Sequence, residues 1–337
     1  MPEALPNRIR SRHDHRASIV RPDRCVVITG GTGSLGYRTA RLLAQQDWSV
    51  VITGRDRAST ADAARTLAQQ TAGAVYGLPL NLTSLADVRR FVNDLAEREL
   101  PPLRAIVCNA GIQIVSGASY TADGMETTFV VNHLAQFLLV QLLVPAMSAP
   151  GRIVIVASDT HDPRRHTGMP APRYTDAHSL AYPAAPDGEN PTVAGRRRYT
   201  TSKLCNVLLT YELDRRLRTG KLGPMPITVN AFDPGLMPGT GLARDYSGIQ
   251  AFAWRYLLPA LTVVPGINVH TPGKSAEALA RLVTDPALET TSGQYFSGFR
   301  TTRSSTDSYD RAKAIDLWRT SIELAGLGSA DGGAAKT

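Results

Sequence analysis

Residues 24–43 read RCVVITGGTGSLGYRTARLL. The first six are rich in Val and Ile and read as a buried strand. The last ones space their apolar residues as a helix does, through Leu43. Between them lies TGGTGSLG at 29–36. Glycines at a strand-to-helix turn permit a tight bend and a close approach of backbone to a pyrophosphate. Its charge then meets backbone N–H groups at the start of the helix. Gly30, Thr32, Gly33, Ser34, Leu35 and Gly36 are therefore candidate phosphate contacts. A lone glycine pattern is weak, whereas this one has the strand–turn–helix context that gives it meaning.

The same rhythm continues outward. Residues 49–53, 74–80, 103–108, 152–157 and 227–232 read as further strands, and 294–296 as a short seventh. Helical spacing falls near 57–71, 85–95, 123–148 and 199–218. Continuous Val/Ile-rich strands separated by helices need a sheet covered on both faces. The expected class is α/β: a Rossmann-type, doubly wound, mostly parallel seven-stranded sheet with helices on both faces. One domain is expected over 24–327. A flexible basic leader (1–23), an insertion (159–198), a substrate lid (236–273) and a flexible tail (328–337) complete the reading.

Composition bounds the function. Apolar residues are 43% and charged residues 20%, ordinary for a globular enzyme that needs no staples. Three distant cysteines (Cys25, Cys108, Cys205) exclude a disulfide scaffold and show no zinc-ligand spacing. They fit a reducing, cytoplasmic setting. The net charge is +8, of which the first 24 residues hold +3. That balance suits an anionic ligand, while aromatic content of 6% and the lack of a basic motif argue against nucleic acid. The longest apolar run, 137–147, is interrupted by Gln141 and is too short to predict a membrane span. The arginine-rich leader lacks the apolar stretch of a secretory signal.

In dinucleotide folds of this kind, an acid at the end of the second strand holds the ribose hydroxyls of NAD. Here Thr53 stands in its place and Arg55 follows. An arginine welcomes a 2′-phosphate, which favours NADPH/NADP+ over NADH. The other reading leaves Arg55 as a surface charge and sends Asp56 to the ribose.

Tyr199 and Lys203 stand at i and i+4 on a predicted helix, so they share one face. A nearby ammonium favours tyrosinate, and such a phenol exchanges protons with a substrate oxygen near neutral pH. The pair starts the helix after the fifth strand, and Ser158 ends that strand. Sheets of this class bind ligands at the carboxyl ends of their strands.

With these residues in view, the sequence resembles the short-chain dehydrogenase/reductase family over nearly all of 24–327. The resemblance rests on TGGTGSLG at 29–36, CNAG at 108–111, Asn132, Ser158, YTTSK at 199–203 and DPG at 233–235. It implies Tyr199 as general acid/base and Lys203 as holder of the nicotinamide ribose. Ser158 would bond the substrate oxygen, and Asn132 would support a water relay to Lys203. Asn109, Ala110 and Gly111 would line the cofactor cleft, and Pro234, Gly235 and Leu236 would lie beside the nicotinamide. Asn81 and Leu82 would flank the adenine, with the Asn81 carbonyl accepting from its amino group. VVNHLAQFLL at 130–139, SKLCNVLLTYELDRRL at 202–217 and PGLMPGTGL at 234–242 bring the chain nearest the retinol dehydrogenase and protochlorophyllide oxidoreductase branch.

Several positions depart from that pattern. Ser34 stands where a glycine is usual, with Gly33 shifted by one. A threonine contact to the carboxamide falls to Thr240, beside Gly239. Ser158 and Tyr199 are 41 residues apart, more than is typical. The insertion between them holds His161, His166 and His178, whose spacings match no metal site, so no metal is expected. Arg196, Arg197 and Arg198 read as a solvated run at the loop end. Cys205 points about 200° away from Lys203 and reads as a packed thiol.

The lid carries Tyr246, Phe252, Trp254 and Leu261, which suits a bulky apolar substrate. The expectation is an NADPH-dependent carbonyl reductase. Reduction of a C=C bond and a non-catalytic NADP(H) sensor are the alternatives. Peripheral membrane contact and homo-oligomers stay open.

Overall fold

The computed structural model describes residues 23–165, 167–184, 188–220, 222, 226–237, 268 and 270–328. The leader, the tail, His166, Thr240 and most of the expected lid lie outside the described residues.

The sheet is built from β1 (Cys25–Ile28), β2 (Ser49–Gly54), β3 (Val75–Pro79), β4 (Leu103–Cys108), β5 (Gly151–Val156), β6 (Ile227–Asp233), β7 (Gln294–Ser297) and β8 (Arg300–Thr302). Their spatial order is β3-β2-β1-β4-β5-β6-β7-β8. Every pair is parallel except β7 with β8. The doubly wound class is as the sequence predicts, with an eighth strand added at the edge. Two of the three β8 residues are exposed, so no apolar alternation announces it.

Alternate residues of the central strands enter opposite layers, as a pleated sheet requires. Val26, Ile28, Ala105 and Val107 pack under the helices Ser34–Ala44, Arg57–Thr71 and Pro272–Thr284. Cys25, Val27, Ile106 and Cys108 pack under Leu85–Ala96, Pro191–Leu217 and Arg311–Leu324. The strand order reverses between β1 and β4, which opens a crevice at their carboxyl ends.

Two helices differ from expectation. The stretch read as one helix over 123–148 contains a wide π-turn at Val130–Leu134, which carries Asn132. By length and composition Thr127–Ala146 qualifies as a membrane span, contrary to the sequence reading. It is mostly buried inside the protein, where it forms a core helix.

The helix bearing Tyr199 starts at Pro191, eight residues earlier than predicted. Asn190 caps it by accepting from Thr192 N at 2.9 Å, and proline fits the first helical position. The last fifth of the insertion is therefore helix, not loop. The three arginines lie on it and do not form a solvated run. Arg197 pairs with Glu189 at 2.8 Å. Arg198 lies 3.4 Å from the buried Glu126 and donates to the carbonyl of Gly117.

Candidate active site

The glycine turn is shaped by close contacts. A Cβ on Gly36 would fall 2.5 Å from the carbonyl oxygen of Gly30, and one on Gly31 would fall 2.5 Å from Ile52. Neither position admits a side chain. Gly30 itself has φ +64°, which favours glycine. Asn109 ties β4 to this turn, since its Nδ2 donates to the carbonyls of Thr29 at 2.8 Å and Gly30 at 3.2 Å. The backbone N–H groups of Asn109 and Ala110 donate to Thr29 Oγ1. The Asn109 side chain thus shapes the cleft and is not directed at a ligand.

Beyond the turn, Thr32, Gly33, Ser34, Tyr37, Arg38, Arg41 and Gln70 line an open recess of about 500 Å³. Arg38 and Arg41 were missed in the sequence. They lie at i and i+3 on the exposed face of the first helix, beside the start that an anion would approach. Gly54 packs its backbone against Thr32, so the end of β2 and the exposed Arg55 lie next to the turn. Asp56 is engaged elsewhere. Its Oδ1 accepts from Ser59 N at 2.8 Å and caps the following helix. Backbone and side-chain bonds from Ser59 hold its carboxyl below the usual range.

Asn81 is held by its neighbours. Its carbonyl accepts from Thr83 N and Thr83 Oγ1, at 3.2 and 2.9 Å. Leu82 is buried in the core.

Tyr199 and Lys203 lie deeper. Tyr199 is 7% exposed and Lys203 4% exposed, on the helix Pro191–Leu217. Lys203 Nζ sits 5.5 Å from the centre of the Tyr199 ring. It donates to the carbonyl of Val156 at 3.2 Å, and Asn206 Nδ2 donates to the same oxygen at 3.0 Å. These bonds fasten the helix to the end of β5, two residues before Ser158. Burial pushes the Lys203 ammonium down to about 8, while the charge of Asp233 opposes that shift.

Asn132 braces the opposite wall. It accepts from Ile112 N at 2.7 Å and donates to Ile112 O and Ser202 Oγ, both at 2.9 Å. A Cβ placed on the exposed Gly111 would lie 3.4 Å from both Asn132 Oδ1 and Lys203 Nζ. Gly111 is thus an open lip over the lysine.

Ser158 follows β5 with its hydroxyl donating to Asp159 Oδ1 at 3.3 Å and accepting from Thr160 N at 3.3 Å. Gly235 has φ +71°, and a Cβ there would strike His270 and Asn268. Pro234 and Leu236 are fixed by bonds to Ser275 and Asn268.

Other residues fall outside this group. His161 is a buried residue and not a solvated loop histidine. It is 1% exposed, its ring lies tilted against that of Tyr295 with centroids 4.9 Å apart, and its Nδ1 meets the carbonyl of Ser158 at 2.6 Å. Among the described residues, no group of three His, Cys, Asp or Glu forms a metal site. Cys205 is fully buried and its thiol is pushed up by burial, in line with a packed role. Gly195, one turn before Tyr199, has no room for a Cβ, which would fall 2.2 Å from the carbonyl of Ile114.

The groups present fit a dinucleotide. Gly30, Gly31 and Gly36 keep the turn tight beside a recess lined by Thr32, Gly33 and Ser34, and the buried lysine keeps N–H donors beside an open glycine lip.

Comparison with known proteins agrees with this geometry. A sequence model of the short chain dehydrogenases matches residues 24–169. The human WW domain-containing oxidoreductase is 32% identical over 306 residues, covering 89% of this chain and 67% of that protein. Protochlorophyllide reductase A of Oryza sativa subsp. japonica is 33% identical over 326 residues, covering 90% and 80%. Among solved structures, an uncharacterised protein from Mycobacterium paratuberculosis superposes with a TM-score of 0.64 at 27% identity, over 90% of this chain and 93% of that one.

Proposed function

Because this chain belongs to the short-chain dehydrogenase/reductase family of oxidoreductases, we propose that it is an NADPH-dependent reductase of a bulky, largely apolar carbonyl compound. The observation that carries the reading is the buried Tyr199–Lys203 pair, whose lysine lies under the lip at Gly111. When bound, NADPH supplies the hydride that reaches the carbonyl carbon. The chain supplies the rest. Tyr199 gives its phenolic proton to the carbonyl oxygen, and Ser158 donates a hydrogen bond to that oxygen. Lys203 stabilises the tyrosinate left behind and bonds the ribose of the cofactor. Asn132 holds the backbone at Ile112 and so keeps the lip in place.

Preference for NADPH is supported by the exposed Arg55 and by Asp56, whose carboxylate is occupied as a helix cap. The apolar character of the substrate rests on the sequence of 245–265 alone. The similarity to protochlorophyllide reductases favours a second reading, reduction of a C=C bond. The buried Cys205 gives that reading no help.

The test is NADPH oxidation against a panel of aldehydes, ketones, enals and quinones, with Tyr199→Phe in parallel. Turnover of aldehydes or ketones that vanishes in the variant, with cofactor affinity kept, supports the proposal. Turnover of enals alone moves it to the second reading. Equal activity in Tyr199→Phe overturns it, and unaltered NADPH binding without any turnover favours a sensor.

A further inference from the structure

Behind Ser158 runs a chain of hydrogen bonds that the proposed reaction does not use. Ser158 Oγ donates to Asp159 Oδ1 at 3.3 Å. The other oxygen of that carboxylate accepts from Asn268 Nδ2 at 2.8 Å, and the same amide donates to Asp233 Oδ2 at 2.8 Å. Asp233 is fully buried, and it also accepts from Ser297 Oγ and from the backbone of Gly235, both at 2.9 Å. The chain crosses the carboxyl ends of β5, β6 and β7.

We propose that Asp159 is a positioning residue whose protonation state sets the direction of the Ser158 hydroxyl and so governs carbonyl reduction. The inference rests on the reading of Ser158 as the partner of the substrate oxygen.

The argument is one of donors and acceptors. An ionised carboxylate only accepts, and a serine has one hydrogen to give. With Asp159 ionised, that hydrogen goes to Asp159, and a carbonyl oxygen meets lone pairs. With Asp159 protonated on Oδ1, the carboxyl donates to Ser158 Oγ, and the serine hydrogen turns to the substrate. The second lone pair of Ser158 stays with Thr160 N. Asp159 Oδ2 keeps its bond from Asn268 in both states.

The surroundings decide which carboxylate takes the proton. Asp233 has three donors and Asp159 has two. Among the described residues, Asp159 is faced by Asp233 from β6, Tyr295 from β7 and Arg165 from the turns after β5, with His161 packed on Tyr295 and interacting with Asp233. Burial, followed by the charge on Asp233, pushes the Asp159 carboxyl up to about 6. Two residues on, His161 is pushed down by its own burial.

The test follows kcat/KM for NADPH-dependent reduction of a nitrobenzaldehyde across about pH 5 to about pH 8. The wild type loses about tenfold as pH rises through about 6, the worth of one hydrogen bond. Asp159→Asn mimics the protonated form, with an amide N–H toward Ser158, so its profile stays high and flat. Ser158→Ala stays low and flat.

An infrared difference between about pH 5 and about pH 8 needs no substrate. It shows a protonated-carboxyl band in the wild type that Asp159→Asn lacks. The same limb retained in Asp159→Asn, or no Asp159-dependent band, overturns the inference while Tyr199-dependent turnover stands. Turnover that survives in Tyr199→Phe overturns both this inference and the reading beneath it.

Discussion

Lys203 Nζ lies 5.5 Å from the centre of the Tyr199 ring, one turn further along the same helix. The two side chains share a face that burial has stripped of water, so the lysine charge acts on the phenol with little screening. The closing of the reactive site therefore depends on a charge that is itself costly to bury.

That cost gives a prediction for Lys203→Met. Reduction falls by about two to four orders of magnitude, the usual contribution of a positioned acid/base system. Stability moves the other way. The folded-state value of Lys203, about 8, is below its unfolded value, so the buried charge destabilises the fold at pH below about 8. The variant gains up to about 3 kcal/mol near pH 7. The gain shrinks as pH rises from about 8 toward about 10.5. Urea unfolding of cofactor-free protein at several pH values checks it.

Arg55→Ala separates the two nicotinamide cofactors. Its loss raises the Kd for NADPH by about tenfold and leaves NADH nearly unchanged, since only the former carries the 2′-phosphate. Arg38→Ala with Arg41→Ala has a smaller effect of the same sign. Fluorescence titration with both cofactors, with 2′-AMP as competitor, reads the difference.

Glu126 and Arg198 form a buried pair at 3.4 Å, with side-chain exposures of 2% and 18%. Burial already pushes the Glu126 carboxyl up, against the pull of bonds from Phe129 and Thr128 and of Arg198. Arg198→Ala strands that charge and costs about 3 kcal/mol at neutral pH. Adding Glu126→Gln restores much of the loss. A double-mutant cycle by chemical unfolding measures the coupling.

His133 sets an acid limit. It is fully buried between Phe129 and Phe137, with Nε2 meeting Ser321 Oγ at 2.9 Å. Burial pushes it down to about 3. The unfolded chain binds a proton near pH 6.5 that the folded one refuses, so stability is lost as pH falls from about 6.5 toward about 3. His133→Leu flattens that slope, as melting temperatures between about pH 4 and about pH 7 will show.

How much of this was legible depended on how local each signal is. The strand at Leu103–Cys108 and the helix at Arg57–Thr71 fall where hydrophobic pattern puts them. The π-turn around Asn132 inserts no residue type that pattern can detect. The early start of the Tyr199 helix was written in Asn190-Pro191, a cap and first-turn signal overridden by the polar run that follows. Arg198 and Glu126 are far apart in sequence, so no local pattern links them. The same holds for Asp159, Asn268 and Asp233, which only the sheet order brings together.

Gly195 stands one turn before Tyr199, with its backbone pressed against Ile114 and Val115, just past the Gly111 lip. It has no functional group, yet it fixes the gap between the strand-end loop and the helix that bears Tyr199. An added methyl would push the two apart by about an ångström, and proton and hydride transfer fall steeply over such distances. On the proposed chemistry the clearance is thus set by a missing atom, and Gly195→Ala, which forces backbone against backbone, would act as a spacer defect.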